Sequence, residues 1–203
     1  MASLLILGAG GHGRVVADAA LASRVWSSVS ACDRNPAHSA GELLPGVPLH
    51  PIESALASAA PVHIAIGNAA SREREANAIR ADLVATVIHP AATVSSHATV
   101  AAGCFIAAQA VVAPGASLGR CVIVNHGAVI DHDVKVGDFS HIAPLVALGG
   151  GSQVGSRTLV GSGASVLPGV RVGDDVVIGA GAVVRDHLDQ PGIYAGVPAR
   201  RMK

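Results

Sequence analysis

Residues 142–172 read IAPLVA LGGGSQ VGSRTL VGSGAS VLPGVR V, and each block of six opens on Ile, Leu or Val. The rhythm extends well beyond this stretch: every sixth residue from Ile88 to Val184 is aliphatic. Four places after each of them but the last comes a small or β-branched residue, from Ala92 and Ala98 through Ser140 and Ser152 to Val176 and Ala182. Glycine crowds the positions between, as at Gly149, Gly155, Gly161, Gly163 and Gly169. A six-residue period of this kind is the signature of a parallel β-helix. Each hexad supplies one short strand and one corner, and three of them close a coil of a triangular prism. The aliphatic residue points inward, and the small residue fits beside it. Backbone groups pair with the coils above and below, about 4.8 Å away. The repeats suffice for slightly more than five coils and a continuous apolar core.

The composition agrees. Of 203 residues half are apolar and 14% charged, with one Trp, one Tyr and two Phe. The core must therefore be aliphatic, and base-stacking platforms for nucleic acid are not on offer. Fourteen basic and fourteen acidic residues cancel, so no global field favours nucleic acid or an anionic membrane. The cluster Arg200-Arg201-Met202-Lys203 reads as a solvated tail. No apolar run approaches the ~20 residues that span a bilayer, and the N-terminus opens on a strand without the marks of a signal peptide. Cys32, Cys104 and Cys121 are few and not in CxxC spacing, so they read as small buried hydrophobes in a reducing cytoplasm.

Ahead of the repeats the texture changes. Ser3–Leu7 is an apolar run, followed by Gly8-Ala9-Gly10-Gly11-His12-Gly13 and a helical pattern over Arg14–Ser23. A second run, Val29–Cys32, ends in Asp33; a third, Val62–Ile66, ends in Gly67-Asn68 and leads to a charged helix-like stretch over Ser71–Asp82. These predict a small parallel sheet with helices. Gly8, Gly10 and Gly13 fit GxGxxG, and Asp33 follows 20 residues after Gly13. That spacing puts a phosphate on a helix N-terminus and an acid near a ribose or base. A full dinucleotide fold needs two such halves and only one fits, which favours a mononucleotide or nucleotide sugar over NAD.

Ten histidines stand among few charges. His38, His50, His63, His89, His97 and His187 read as structural or surface residues. The informative stretch runs from Asn125-His126 through Asp131-His132-Asp133 to His141. His132 and Asp133 take the third and fourth places of a hexad, at a corner, so both can project outward. A carboxylate beside an imidazole favours the imidazolium formed on taking a proton and can fix the tautomer, as a general base requires. One coil beyond His132 lies Gly150, inside Gly149-Gly150-Gly151, where backbone N–H groups could meet an oxyanion. Metal ligation by His126, His132 and His141 would require a neighbouring subunit, because consecutive hexads face different sides of the prism.

The GAGGHG loop, Ile64–Asn68, the segments Val129–Asp133 and Val136–His141, and Gly196-Val197-Pro198-Ala199-Arg200 together resemble the bacillosamine- and perosamine-type nucleotide-sugar N-acetyltransferases and their sialic-acid O-acetyltransferase relatives. The resemblance spans nearly the whole chain. It implies a half-Rossmann-like α/β domain over residues 1–85 and a left-handed parallel β-helix over 86–203. It further implies a cytoplasmic homotrimer with active sites between subunits, acetyl-CoA as co-substrate, no metal, and a nucleotide-linked 4-amino-4,6-dideoxy sugar as acceptor. His132 matches the catalytic base and Asp133 the acid that raises its basicity. His141, Gly150, Ser162 and Ala180 match contacts to acetyl-CoA, and Asn125 falls with the substrate-binding residues. Gly10, Gly11 and His12 match the loop that holds the nucleotide-sugar phosphates, Asp33 a base-reading acid, and Gly67 and Asn68 a strand end near the nucleotide. Bacillosamine-type enzymes carry a second acid where this chain has Arg34, which leaves UDP and GDP carriers both open. Acetylation of a sugar hydroxyl would use the same base, and a non-enzymatic β-helical scaffold would leave His132-Asp133 unexplained.

Overall fold

The computed structural model describes residues 2–202. The chain divides into two compact units, one ending at Pro90 and the other beginning at Ala91.

In the first unit, β1 (Ser3–Leu7) is central in a three-stranded parallel sheet, flanked by β2 (Ser28–Cys32) and β5 (Val62–Ile64). Leu4 to Leu7 are all buried, as expected of a parallel strand covered on both faces. Helix α1 (Gly11–Ser23) follows the glycine loop and buries Val16, Ala17, Ala19 and Ala20. Helix α3 (Ala69–Ala78) begins earlier than its charge pattern predicts because Asn68 caps it, the side-chain oxygen accepting from the Ser71 N–H at 2.9 Å. It also ends earlier, and Ala81–Leu83 is a separate 3-10 turn. A short antiparallel hairpin, β3 (Glu42–Leu44) with β4 (Val47–Pro48), and helix α2 (Ile52–Leu56) were not foreseen. Both are too short to leave a periodic signal.

The second unit is the parallel β-helix. Its first sheet stacks six strands from Thr93–Val94 to Val183–Val184, and its second stacks five from Thr99–Val100 to Arg171–Val172. The third sheet has eight strands and runs through Phe105–Ile106 and His141–Ile142 to Val176–Ile178 and beyond. Partners sit 18 residues apart, as in Val111↔Val129↔Ala147↔Ser165↔Val183. Ile106, Val124, Ile130, Ile142 and Val160 are fully buried in one continuous core, each contributing about 1.5–3 kcal/mol. The inward polar residues are woven in: Ser140 Oγ donates to the Gly155 carbonyl, and Thr158 Oγ1 to that of Gly173.

Corners reveal a second period. From Gly103 to Gly181 every sixth residue has a positive φ, and the set includes Gln109, Cys121, Asp133, Phe139, Leu145, Arg157 and Asp175. Each such non-glycine residue carries a local cost of about 1–2 kcal/mol. The helix also continues past the end of the aliphatic rhythm. Gly192–Ala195 adds a parallel strand to Val176–Ile178, and Arg200–Arg201 folds back antiparallel onto Tyr194–Ala195. The C-terminal basic residues are therefore backbone-paired rather than a loose tail, although their side chains stay exposed; Lys203 lies outside the described residues.

Candidate active site

His132 sits on the ridge between the first and second sheets, in the corner joining Val129–Ile130 to Lys135–Val136. Asp133 holds the corner's left-handed position, with φ 60, a conformation Asp tolerates better than most residues. Its Oδ2 lies 2.9 Å from His132 Nδ1. A carboxylate only accepts, so Nδ1 carries the hydrogen and the neutral ring presents the Nε2 lone pair. Asp131 Oδ1 accepts the His132 backbone N–H at 2.7 Å. The imidazole pKa is raised, first by the hydrogen bond to Asp133 and then by the charge of Asp131. At 63% exposure the His132 side chain remains open to a substrate.

Glycines stand on both sides of this pair. A Cβ on Gly115, one coil below Asp133, would strike Asp133 Oδ1. A Cβ on Gly150, one coil above His132, would strike Nε2 and lie 2.6 Å from Cε1. The three consecutive glycines serve different ends. Gly149 makes room for Pro168, Gly150 for the imidazole, and Gly151 adopts φ +67. Gly149 N–H donates to Val166 and Gly151 N–H to the His132 carbonyl. Among the described residues no acceptor takes the Gly150 N–H, so it remains as the donor beside the base.

Asn125, Ser162 and Ala180 lie on a different ridge, between the third and first sheets, and His141 faces outward from the third sheet. Asn125 Oδ1 accepts the His126 backbone N–H at 2.9 Å. That bond turns the Asn125 amide nitrogen toward His141 Nε2, 3.3 Å away. Nε2 must therefore accept, which places the His141 proton on Nδ1. Side chains at Gly163 and Gly181, next to Ser162 and Ala180, would meet nothing within 4 Å, so the ridge is bare backbone. Within one chain the first sheet separates His132 from Asn125 and His141.

The glycine loop of the first unit is built for tight packing at its ends and openness in its middle. A Cβ on Gly13 would strike the Gly8 carbonyl oxygen, and one on Gly8 would lie 2.6 Å from the Ala65 oxygen. Gly10 and Gly11 have nothing within 4 Å of that position. Gly10 is the N-cap of α1 without a side-chain cap, and His12 is the helix's second residue. Amide groups of the first turn are thus available to an anion. Asp33 pins the loop: its Oδ2 accepts the Ala9 N–H at 2.6 Å and its Oδ1 that of Asn35 at 2.8 Å. Gly67 and Asn68 are also engaged locally. The Gly67 carbonyl accepts from buried Arg72, whose Nη1 also reaches the Ile66 carbonyl at 2.6 Å. Arg34 is clamped by Glu75 of α3, with Nε to Oε1 at 3.2 Å and Nη2 to Oε2 at 2.7 Å.

Arg72, Glu75, Asp131 and Gly115 escaped sequence reasoning. Asp131 adjoins His132, and Gly115 stands one coil before Asp133, so both had a positional signal. Arg72 and Glu75 had none, because their roles depend on how α3 packs. His63, expected to be structural or on the surface, is buried; desolvation lowers its pKa to about 4, and Nδ1 lies 2.8 Å from the Ala85 carbonyl. The three cysteines are buried and form no disulfide, and burial pushes the Cys32 thiol up to about 11. Among the described residues no three His, Cys, Asp or Glu side chains form a metal-binding group, and no helix is long and apolar enough to cross a membrane.

A β-helix with a His–Asp pair set against a glycine ridge, joined to a glycine-loop α/β unit, defines a hexapeptide-repeat acyltransferase. Residues 3–79 match the PglD N-terminal domain, and residues 151–186 match the bacterial transferase hexapeptide of six repeats. The acetyltransferase domain of PglB from Neisseria gonorrhoeae is 33% identical over 100% of both chains, with a TM-score of 0.92. That domain in complex with acetyl coenzyme A is 34% identical over 98% of each chain, with a TM-score of 0.91. A histidine-to-alanine variant of GDP-perosamine N-acetyltransferase from Caulobacter crescentus, in complex with CoA and GDP-perosamine, is 31% identical over 100% of this chain and 98% of that one, with a TM-score of 0.91. The chain belongs to this family of acetyl-CoA-dependent nucleotide-sugar acetyltransferases.

Proposed function

We propose that the protein moves acetyl from acetyl-CoA to the 4-amino group of a nucleotide-linked 4-amino-4,6-dideoxy sugar, with His132 as general base. One observation carries the reading: His132, oriented by Asp133 at 2.9 Å, faces Gly150, whose N–H is uncommitted. In a ternary complex the neutral amine attacks the thioester carbonyl carbon, forming the C–N bond. The carbonyl oxygen takes up negative charge and meets the Gly150 N–H. His132 Nε2 removes the proton from the attacking nitrogen, and Asp133 stabilises the imidazolium. Collapse breaks the C–S bond, and the imidazolium returns its proton to give CoA thiol and the amide. Among the described residues no Cys or Ser stands at His132 as an activated nucleophile, so the reading needs no acyl-enzyme.

His141, Asn125, Ser162 and Ala180 are assigned to acetyl-CoA and acceptor binding on the neighbouring ridge. A homotrimer would let that ridge of one subunit serve His132 of the next. Two faces of the prism support such an assembly. The first carries Val111, Val129, Ala147 and Val183 outward, and the third carries Leu159, Val177 and Ile193, whereas the second carries Lys135, Gln153 and Arg171. Two apolar faces cover two neighbours, and one polar face meets water. In the first unit, Gly10, Gly11 and His12 hold the diphosphate, with Asp33, Gly67 and Asn68 around it. The GDP-perosamine bound to the Caulobacter relative supports an acceptor of this class.

The test is release of CoA thiol from acetyl-CoA with UDP- and GDP-linked 4-amino-6-deoxy sugars, with sialic acid as hydroxyl control. Turnover with an amino sugar that His132→Ala abolishes, in an intact assembly, is the expected result. Undiminished turnover in that variant rejects His132 as base, and turnover with the hydroxyl acceptor alone makes the protein an O-acetyltransferase.

A further inference from the structure

At the carboxyl ends of β1, β2 and β5, where the strand order β2-β1-β5 reverses, lies a cleft of about 250 Å³. Ligands of open parallel sheets bind at such reversals. Its walls include Gly8, Asp33, Arg34, Ile66, Arg74 and Glu75. The volume falls below the ~300 Å³ of a pocket for a whole small ligand, so it suits one part of a nucleotide.

Arg34 dominates this cleft. Its Nε and one N–H of Nη2 are spent on Glu75, at 3.2 and 2.7 Å. The Glu75 side chain is only 4% exposed, whereas that of Arg34 is 59% exposed. The buried carboxylate therefore acts as an anchor that fixes the plane of an otherwise mobile guanidinium. Glu75 stays ionised under the Arg34 hydrogen bond, its pKa lowered. Among the described residues, the outer edge of the guanidinium, both N–H groups of Nη1 and the remaining one of Nη2, meets no acceptor. It is a rigid fork of parallel donors facing outward.

Such a fork selects two adjacent acceptors. Guanine offers O6 and N7 side by side, the pair arginine most often reads. Adenine places an amino donor beside N7, and uracil places the N3–H beside O4, so each opposes one donor with another. Resting on the nucleotide-sugar reading above, we infer that Arg34, positioned by Glu75, reads guanine, and that the carrier of the acceptor sugar is GDP.

The experiment is calorimetric titration of the full-length protein with GDP, UDP and CDP, repeated on Arg34→Lys and Glu75→Gln. Lysine keeps the charge that Glu75 needs and so preserves folding, yet it has no fork. Expected is GDP binding roughly tenfold or more tighter than UDP or CDP, with Arg34→Lys bringing the three within about twofold and Glu75→Gln between. Equal or tighter binding of UDP overturns the inference while leaving the nucleotide-sugar reading intact. Tighter binding of CDP, whose N3 and O2 are also adjacent acceptors, overturns it too, as does a GDP preference that survives in Arg34→Lys. Failure of all three nucleotides to bind overturns the nucleotide-sugar reading itself.

Discussion

Gly150→Ala isolates the chemistry of the ridge from its stability. Gly150 does not use the positive φ of its neighbour Gly151, so alanine costs the backbone little. The added methyl would sit 2.6 Å from His132 Cε1, whereas carbon atoms rest at about 3.5–4.0 Å. The imidazole must therefore retreat by about 1 Å. It can do so, because the ring lies at the exposed end of a side chain, but only by disturbing the 2.9 Å bond to Asp133 and the approach of Nε2 to the substrate. A displacement of about 1 Å at a reacting group costs on the order of 100-fold in rate. The expected result is kcat down about 100-fold with the melting temperature unchanged. Gly151→Ala should do the reverse, losing about 1–2 kcal/mol of stability to its positive φ and keeping most activity. Steady-state kinetics and thermal melts of the two variants side by side make the comparison. A Gly150→Ala enzyme within a few-fold of wild type would refute the placement of the reaction at His132 Nε2 beside the Gly150 ridge.

Three further outcomes follow from the same geometry. The base works only when neutral and its pKa is raised, so the acid limb of kcat/KM should lie above the ordinary histidine range; Asp133→Asn should move that limb to lower pH, and an unmoved limb would sever Asp133 from the titration. Asn125→Asp turns a carboxylate oxygen toward His141 Nε2, so nitrogen NMR should show the proton transferred to Nε2 and KM for acetyl-CoA should rise; an Nδ1-protonated ring in the variant would contradict the assigned hydrogen bonds. Buried His63, with its folded pKa lowered to about 4, binds its proton more readily when unfolded. Its contribution is full above pH ~6.5 and is lost as pH falls toward 4, by about 3 kcal/mol at most. Urea midpoints should show that slope in the wild type and a shallower one in His63→Gln.

Much of the fold was legible because the β-helix writes its geometry into a six-residue period, with inward aliphatics at one phase and small residues at another. The corner residues at positive φ were less legible, since Gln109, Phe139 and Leu145 show that stacking overrides the preference for glycine. His132, Asp133 and Gly150 could be aligned by counting one coil of 18. The Gly150 N–H could not be singled out from its two neighbours until their hydrogen bonds were known. Asp33 was legible by its distance from the glycine loop, yet its grip on the Ala9 N–H was not.

By itself, then, the sequence determined everything that is periodic or local: the prism, its coil length, the glycine loop before a helix, and the pairing of His132 with Asp133. Tertiary structure alone decided what depends on contacts between residues far apart in the chain. It set Glu75 of α3 against Arg34 after β2, and it buried Arg72 against the carbonyls of Ile66 and Gly67. A repeat can be counted because each coil imposes the same constraint on the same phase. A contact such as Arg34 with Glu75 occurs once, and only the packing of the helix on the sheet specifies it.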